Sequence, residues 1–366
     1  MKEVSDRKIE HIEICCKEDV EMRVNTSGFE DVWLVHRAIP EVELDDIELQ
    51  TNFLGFRLDA PLLISAMTGG HPKVKEINEV LAKVAGELNI AMAVGSQRAA
   101  IIDTSLKGTF TVVRDVAPDA FIMANIGAVQ LVSDLKVEDV KKAVDMIEAN
   151  AISVHLNPAH EFSQVGGDTK FKGVLEAIKK LIHELSVPVV VKETGCGISY
   201  EDAKLLADIG VSAIDVAGAG GTSWPLVEAL RAERNGETLW AEVARGFAEW
   251  GIPTAVSIVE VRSVFNREVI ASGGVRSGLD CAKAIALGAD LAGFALPALR
   301  AASRGVKELK EYVSVVMNQL RGAMLLTGSR NIEELKRAKV VITGRVKQWL
   351  EARGFDVKSY ARRSFP

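Results

Sequence analysis

Cysteine is scarce. Cys15, Cys16, Cys196 and Cys281 are the four in 366 residues, with no C-x-x-C spacing, which excludes a disulfide framework and reads as free thiols in a reducing compartment. No run approaches 18 apolar residues, so nothing is expected to span a membrane. The opening stretch MKEVSDRKIEHIEIC is charged throughout and lacks the apolar core of a secretory signal; a cytoplasmic location is expected. Positive charge is not in excess either. Lys plus Arg is 44 against 50 Asp plus Glu, a net charge of −6, which argues against nucleic-acid or anionic-membrane partners and confines any anion site to a small local pocket. Apolar residues at 48% and charged residues at 26% are near the averages of a soluble enzyme and disfavour disorder, collagen and coiled coil.

From residue 60 onward, short apolar β-branched runs alternate with stretches of helical period, the pattern of βα units around a parallel sheet. The expected strands are Pro61–Ser65, Ile90–Val94, Phe121–Asn125, Ala151–His155, Val187–Lys192, Ala213–Val216, Val269–Ser272 and Leu291–Ala295. A ninth apolar run, Ile252–Ile258, reads as a loop entering a helix, because Pro253 and Thr254 form a start signal and Val256, Val259 and Val261 share a helical face. Among the helices, Lys75–Leu88 carries Ile77, Val80, Leu81, Val84 and Leu88 on one side, Glu138–Glu148 behaves alike, and Ser199 is placed to cap Ser199–Asp208. Eight strands each followed by a helix fit an α/β fold of the (β/α)8 TIM-barrel type, typically ~250 residues; a doubly wound open sheet is the rival. No Pro/Ser/Gly-rich linker divides the chain, so residues 1–366 are expected as one domain. Its barrel core covers about 60–305, with an N-terminal extension 1–59 and C-terminal helices 306–366.

Polar and glycine residues follow almost every expected strand: Met67-Thr68-Gly69-Gly70, Gly95-Ser96-Gln97-Arg98, Asn125-Ile126-Gly127, His155-Leu156-Asn157, Lys192-Glu193-Thr194-Gly195, Gly218 to Thr222, and Gly273-Gly274-Val275-Arg276. In a barrel these positions converge on one pocket at the carboxyl ends of the strands. Turn chemistry accounts for the glycines but not for Arg98, His155, Glu161 and Lys192 together. The stretch ASGGVRSG (271–278) offers backbone N–H groups, a helix starting near Gly278 and Arg276 to meet an anion, which makes it a phosphate-site candidate at this point of a barrel. Lys192 ends the apolar run VPVVVK and needs a partner when buried. It reads as a Schiff-base lysine, as an ion pair with Glu193 or Asp215, or as a cation beside the N1–C2=O edge of a flavin, which the nearby phosphate site favours. The run His155-Leu156-Asn157-Pro158-Ala159-His160-Glu161 offers a two-His, one-carboxylate metal set, a Mg2+ ligand in Glu161, or simply a helix opened by Pro158. Arg7, Lys8 and His11 share one helical face near the N-terminus, either a solvated surface or an anion clamp over a barrel mouth.

These segments resemble the FMN-dependent type 2 isopentenyl diphosphate isomerase family. RKIEHI (7–12), MTGG (67–70), GSQR (95–98), HLNPAHE (155–161), VKETG (191–195), GAGGTSW (218–224), GGVRSG (273–278) and ALP (295–297) occur in family order over essentially the whole chain. The resemblance implies interconversion of isopentenyl and dimethylallyl diphosphate by a 1,3-proton shift, with reduced FMN, Mg2+ and NADPH as reductant. It implies that Met67, Thr68, Ser96, Asn125, Lys192, Thr222, Gly274, Val275, Arg276, Ala295 and Leu296 hold FMN. Arg7, Lys8, His11, Ser96, Arg98, His155, Asn157 and His160 would bind the prenyl diphosphate, with Glu161 reaching Mg2+. His160, Glu228, Trp224 and Lys192 fall at catalytic positions, and a homo-oligomer, tetramer or octamer, is implied as well. Two departures stand out. His160 replaces the glutamine of the family's H-x-N-P-x-Q-E pattern, and Ala217 replaces a serine. The first leaves a related flavin oxidoreductase, an isomerase of altered specificity, and a non-catalytic flavin- and diphosphate-binding protein as alternatives.

Overall fold

Eight strands, all parallel, close on themselves in the computed structural model, which describes residues 2–364 and the side chains from Arg7 onward. They are β1 (Leu62–Ile64), β2 (Ala91–Ala93), β3 (Ile122–Gly127), β4 (Ala151–His155), β5 (Val189–Lys192), β6 (Ala213–Asp215), β7 (Glu268–Ala271) and β8 (Leu291–Phe294). Closure is made by β8 on β1, with Gly293 opposite Leu63, which rules out the open doubly wound sheet. The rejected run Ile252–Ile258 is indeed no strand; it leads into the helix Thr254–Arg262, which is buried on every side from Thr254 to Val261.

Side chains alternate across each strand, and the alternation separates two kinds of core. Leu63, Ala91, Met123, Ala151, Val190, Ala213, Ile270 and Leu291 pack together inside the barrel. Their neighbours Leu62, Ile64, Met92, Ile122, Ile152, Val191, Ile214 and Val269 pack with the surrounding helices. The interior is plugged at the amino ends of the strands by the hairpin Thr51–Phe53 and Phe56–Leu58, whose Phe53 and Leu58 join the interior cluster and whose Phe53 ring meets Phe121 edge-on at 5.5 Å. Two residues further along the same inward face the side chains turn polar: Ser65, Asn125, Ser153, Lys192, Asp215 and Ser272. That switch sets the floor of the site.

The N-terminal helix α1 (Lys2–Lys17) lies beside the carboxyl ends of the strands. Its Ile14 and Cys15 pack with Val20, Val227, Leu296 and Leu299. Arg300 donates to the carbonyls of Cys15 at 3.0 Å and Glu18 at 2.9 Å, satisfying carbonyls that a helix end leaves open. The C-terminal stretch holds the helix Val306–Thr327 and also the strand Val340–Ile342, which pairs antiparallel with Val32–Leu34. Three-residue strands show no period in a sequence, so this tie between the two extensions was not foreseen. Glu260, fully buried, accepts from Arg353 Nε at 2.9 Å and Trp349 Nε1 at 3.2 Å and joins the C-terminal helix Gly344–Ala352 to the barrel. Among the described residues no helix is long and apolar enough to cross a membrane.

Candidate active site

Lys192 closes β5 as the cation on the floor. Its Nζ donates to the carbonyl of Glu193 rather than to a carboxylate. Two buried acids lie close by. Burial pushes the Glu193 carboxyl up to about 7, against the opposing backbone N–H of Cys196 and charge of Lys192. Burial also pushes Asp215 up, opposed by Lys192 and by Ser272, whose Oγ donates to Asp215 Oδ1 at 2.6 Å. The low dielectric that discourages both acids leaves Lys192 as the dominant positive centre at the strand ends. Beside it, burial first and the Lys192 charge second push His155 down to about 3, so its ring is neutral. His155 Nδ1 lies 2.8 Å from Asn125 Oδ1. An amide oxygen only accepts, so Nδ1 carries the proton and Nε2 is a bare acceptor in this arrangement. An anion at Nε2 requires protonation of the ring or a half-turn of the Asn125 amide.

From the other side, α1 supplies Arg7, Lys8 and His11 to the same cavity. Lys8 Nζ donates to the carbonyls of Gly69 and Ser96. Burial, reinforced by Arg7, pushes Lys8 down to about 8, and burial also lowers Arg7. His11 Nε2 lies 2.7 Å and His160 Nε2 2.9 Å from the same oxygen, Oε1 of Glu228. The second oxygen of Glu228 accepts from Arg231 at 3.3 Å. Burial resists ionisation of Glu228, yet hydrogen bonds from the two imidazoles outweigh it and hold the carboxyl well below its usual range. A carboxylate oxygen accepts only, so both rings present Nε2–H to it. The His160 ring stacks on Trp224 at 4.6 Å and 21°, and the His11 ring meets Trp224 edge-on at 5.3 Å.

Helix α2 (Pro158–Ser163), opened by Pro158, carries His160 and Glu161 in different directions. Glu161 accepts from Asn157 Nδ2 at 2.9 Å and from the backbone N–H of Asp168 at 2.8 Å, while Asn157 Oδ1 is buried without a partner. The two-His, one-carboxylate set within residues 155–161 therefore does not assemble. His155 turns to Asn125, His160 to Glu228, and Glu161 to Asn157 and Asp168. A carboxylate on the cavity wall beside an orphaned amide oxygen suits a hard, oxygen-seeking cation such as Mg2+.

The loops after β6 and β7 meet backbone to backbone. A Cβ on Gly273, at φ 96°, would overlap the carbonyl of Gly218, and one on Gly220, at φ 104°, would overlap the backbone nitrogen of Ser27. Close approach thus demands these glycines, independently of any ligand. Among the described residues, the N–H groups of Gly274 and Val275 donate no hydrogen bond, and the helix Gly278–Leu287 beyond them starts from a Ser277–Asp280 capping box. Arg276 meets a carboxylate here: its Nε lies 2.8 Å from Glu21 Oε1, and Nη2 also donates to it. The open N–H of Gly274, the orphaned hydroxyl of Ser65 and Lys192 all line the cavity, with the open N–H of Val275 next in the chain, and they fit a planar, acceptor-rich ring with a phosphate tail. FMN has that shape.

The cavity wall includes Arg7, Lys8, His11, Met67, Thr68, Ser96, Arg98, Asn125, His155, Asn157, His160, Glu161, Lys192, Thr222, Trp224, Gly274, Arg276, Ala295 and Leu296. Two expected site residues sit elsewhere. Val275 is packed in the core, 1% exposed, and Glu228 stands behind His11 and His160. Arg98 reaches the wall but its guanidinium is paired with Asp134 at 2.6 Å. Ser65, Gln130 and Gln164 also line the cavity and were missed, while Thr194 and Ser272, which lie in the loop motifs expected to converge there, line it without having been given a role. For Ser65 and Ser272 a signal existed: each lies two positions beyond an inward apolar residue of its strand.

Residues 1–117 and 129–342 match the FMN-dependent dehydrogenase family. The chain is 49% identical over 363 residues to the isopentenyl-diphosphate delta-isomerase of Methanothermobacter thermautotrophicus, covering 99% of this chain and all of that one. It is 48% identical over 357 residues to the enzyme of the same name from Metallosphaera sedula, covering 97% of each. Among solved structures, a flavocytochrome b2 mutant with pyruvate bound aligns with a TM-score of 0.68 at 19% identity, over 97% of this chain and 88% of that one. A mandelate oxidase mutant with 2-hydroxy-phenylacetamide aligns with 0.63 at 18%, over 94% and 97%. At such identities these two speak for the barrel alone.

Proposed function

The chain belongs to the FMN-dependent type 2 isopentenyl-diphosphate delta-isomerase family, and from that membership we propose how its residues divide the interconversion of isopentenyl and dimethylallyl diphosphate. One observation carries the reading: a single cavity is lined by the cations of α1, by Lys192 and by Trp224. Reduced FMN, when bound, supplies an electron-rich face and a proton-exchanging nitrogen beside the alkene, with NADPH as reductant. Lys192, Ser65 and the N–H groups of Gly274 and Val275 hold it, together with Met67, Thr68 and Thr222. Glu161 holds Mg2+, and Arg7, Lys8, Ser96, Arg98 and Asn157 take the diphosphate, whose remote binding energy positions the hydrocarbon end. Trp224 and the stacked His160 exclude water where tertiary carbocation character develops. His160 stands where the family glutamine would. With Nε2–H committed to Glu228, its Nδ1 is the nitrogen left to take or return a proton. A cytoplasmic homo-oligomer completes the proposal, on family resemblance.

Anaerobic incubation of the purified chain with FMN, dithionite or NADPH, Mg2+ and isopentenyl diphosphate is expected to give dimethylallyl diphosphate, with deuterium incorporated from D2O. Bound flavin without product, or NADPH consumed in proportion to product, would overturn the assignment.

Lys8 makes the pH dependence specific. With its ammonium pushed down to about 8, the free enzyme loses a diphosphate-binding cation as pH rises, so kcat/KM is expected to fall through about pH 8. Lys8→Arg should abolish that limb. Stability moves the other way. The folded value lies below the ordinary 10.5, so between those values the unfolded chain binds more protons and folding is favoured by rising pH. Opposite slopes of activity and Tm in that window distinguish lost binding from lost fold.

A further inference from the structure

Three side chains from three separate segments bring metal-ligating atoms together at the edge of the cavity: His11 from α1, His160 from α2 and Glu228 from the helix Trp224–Arg234, which we label α3. Their ligand atoms all lie within 4.8 Å of one another. We propose that they form a site for a borderline divalent transition metal, Zn2+ or Co2+, separate from the Glu161 carboxylate.

Two imidazoles and one carboxylate oxygen are a donor set that such ions take, leaving a coordination position open. Nε2 of His11 and Nε2 of His160 stand 2.7 and 2.9 Å from Glu228 Oε1, whereas bonds of ~2.0–2.1 Å to one tetrahedral ion place neighbouring ligand atoms about 3.3 Å apart. Opening each contact by about half an ångström therefore admits the ion. An imidazole that ligates through Nε2 carries its ring proton on Nδ1, so each ring turns a donor toward Glu228 into a donor elsewhere. The rings are already oriented. Trp224 stacks on His160 and touches His11 edge-on, and Arg231 holds the second oxygen of Glu228, the outer-shell support that ligating groups need. Arg7, on α1 near this carboxylate, and Arg231 oppose the added charge, which sets the affinity below that of a dedicated structural zinc site. The glutamine that the family pattern has at position 160 would offer an amide in place of an imidazole. The site is thus a property of this chain rather than of the pattern.

The test uses the full-length FMN-loaded protein, treated with EDTA and desalted. Calorimetry with Zn2+ is expected to show one equivalent bound, and Co2+ difference spectra the visible bands of a tetrahedral centre. His160→Gln should weaken both by more than about a hundredfold, beyond the ~10–100-fold that losing an outer-shell partner costs. His11→Gln gives the same reading should His160→Gln fail to fold. Glu161→Gln should leave both signals in place. Absence of saturable binding, binding unchanged in His160→Gln, or binding lost in Glu161→Gln would each overturn the proposal.

Discussion

Lys192→Ala is expected to lower kcat/KM by about a hundred- to a thousandfold, the range that follows removal of one preorganised charge donor from a water-poor site. The strand around it should survive, because Val189, Val190 and Val191 are each at most 2% exposed and supply its packing. What disappears is the positive centre between Glu193 and Asp215, two acids already disfavoured as anions by burial. Without Lys192 both become harder to ionise, and His155, pushed down partly by that charge, becomes easier to protonate. The floor then loses the cation proposed to offset an anionic flavin, so flavin retention after desalting should fall together with turnover. Lys192→Arg is not expected to rescue, because a planar fork cannot occupy the place of a compact ammonium. Steady-state kinetics and flavin content measured together check this. Activity within about tenfold of the parent protein would remove Lys192 from the role.

Gly220→Ala is expected to destabilise the chain by more than about 4 kcal/mol, the exceptional range for a single substitution. Two costs add. At φ 104° an L side chain is strained, and its Cβ would overlap backbone atoms of Thr26 and Ser27 rather than a side chain that could move aside. Gly236→Ala is the matched control. Its φ is 77° but nothing lies within 4 Å of the added carbon, so it should cost roughly 1–2 kcal/mol for the left-handed backbone alone. Denaturant titration of the pair separates close approach from backbone strain. Equal midpoints would mean that the segment carrying Ser27 moves aside freely. Because Met22 bonds Gly221 and Ser223 bonds Val20 in the same seam, failure at Gly220 should also loosen Glu21 from Arg276.

The barrel was legible because its information is local. Each strand begins and ends within two residues of its apolar run, and the loop after each strand carries its polar residues in a compact motif. The site's chemistry was less so, since the partners that set it are remote in the chain. Nothing near His11 announces Glu228, 217 positions away, and nothing near Arg276 announces Glu21, 255 positions away. Motif resemblance supplied the lining residues, yet it could not show that Arg98 meets Asp134 or that the histidines of HLNPAHE part company. The run of seven residues from His155 to Glu161 suggests a metal set by itself, whereas the proposed set takes one member from that stretch and finds the other two on elements that only tertiary packing brings near.

The hairpin around Phe53 and Leu58 stoppers one end of the barrel, so traffic to and from Lys192 passes the opposite rim, where α1 lies. A flavin mononucleotide seated deep, as proposed, is therefore expected to arrive ahead of a diphosphate held by Arg7 and Lys8, and to depart behind it. Compulsory order of this kind comes from the plumbing of the cylinder, without any moving part.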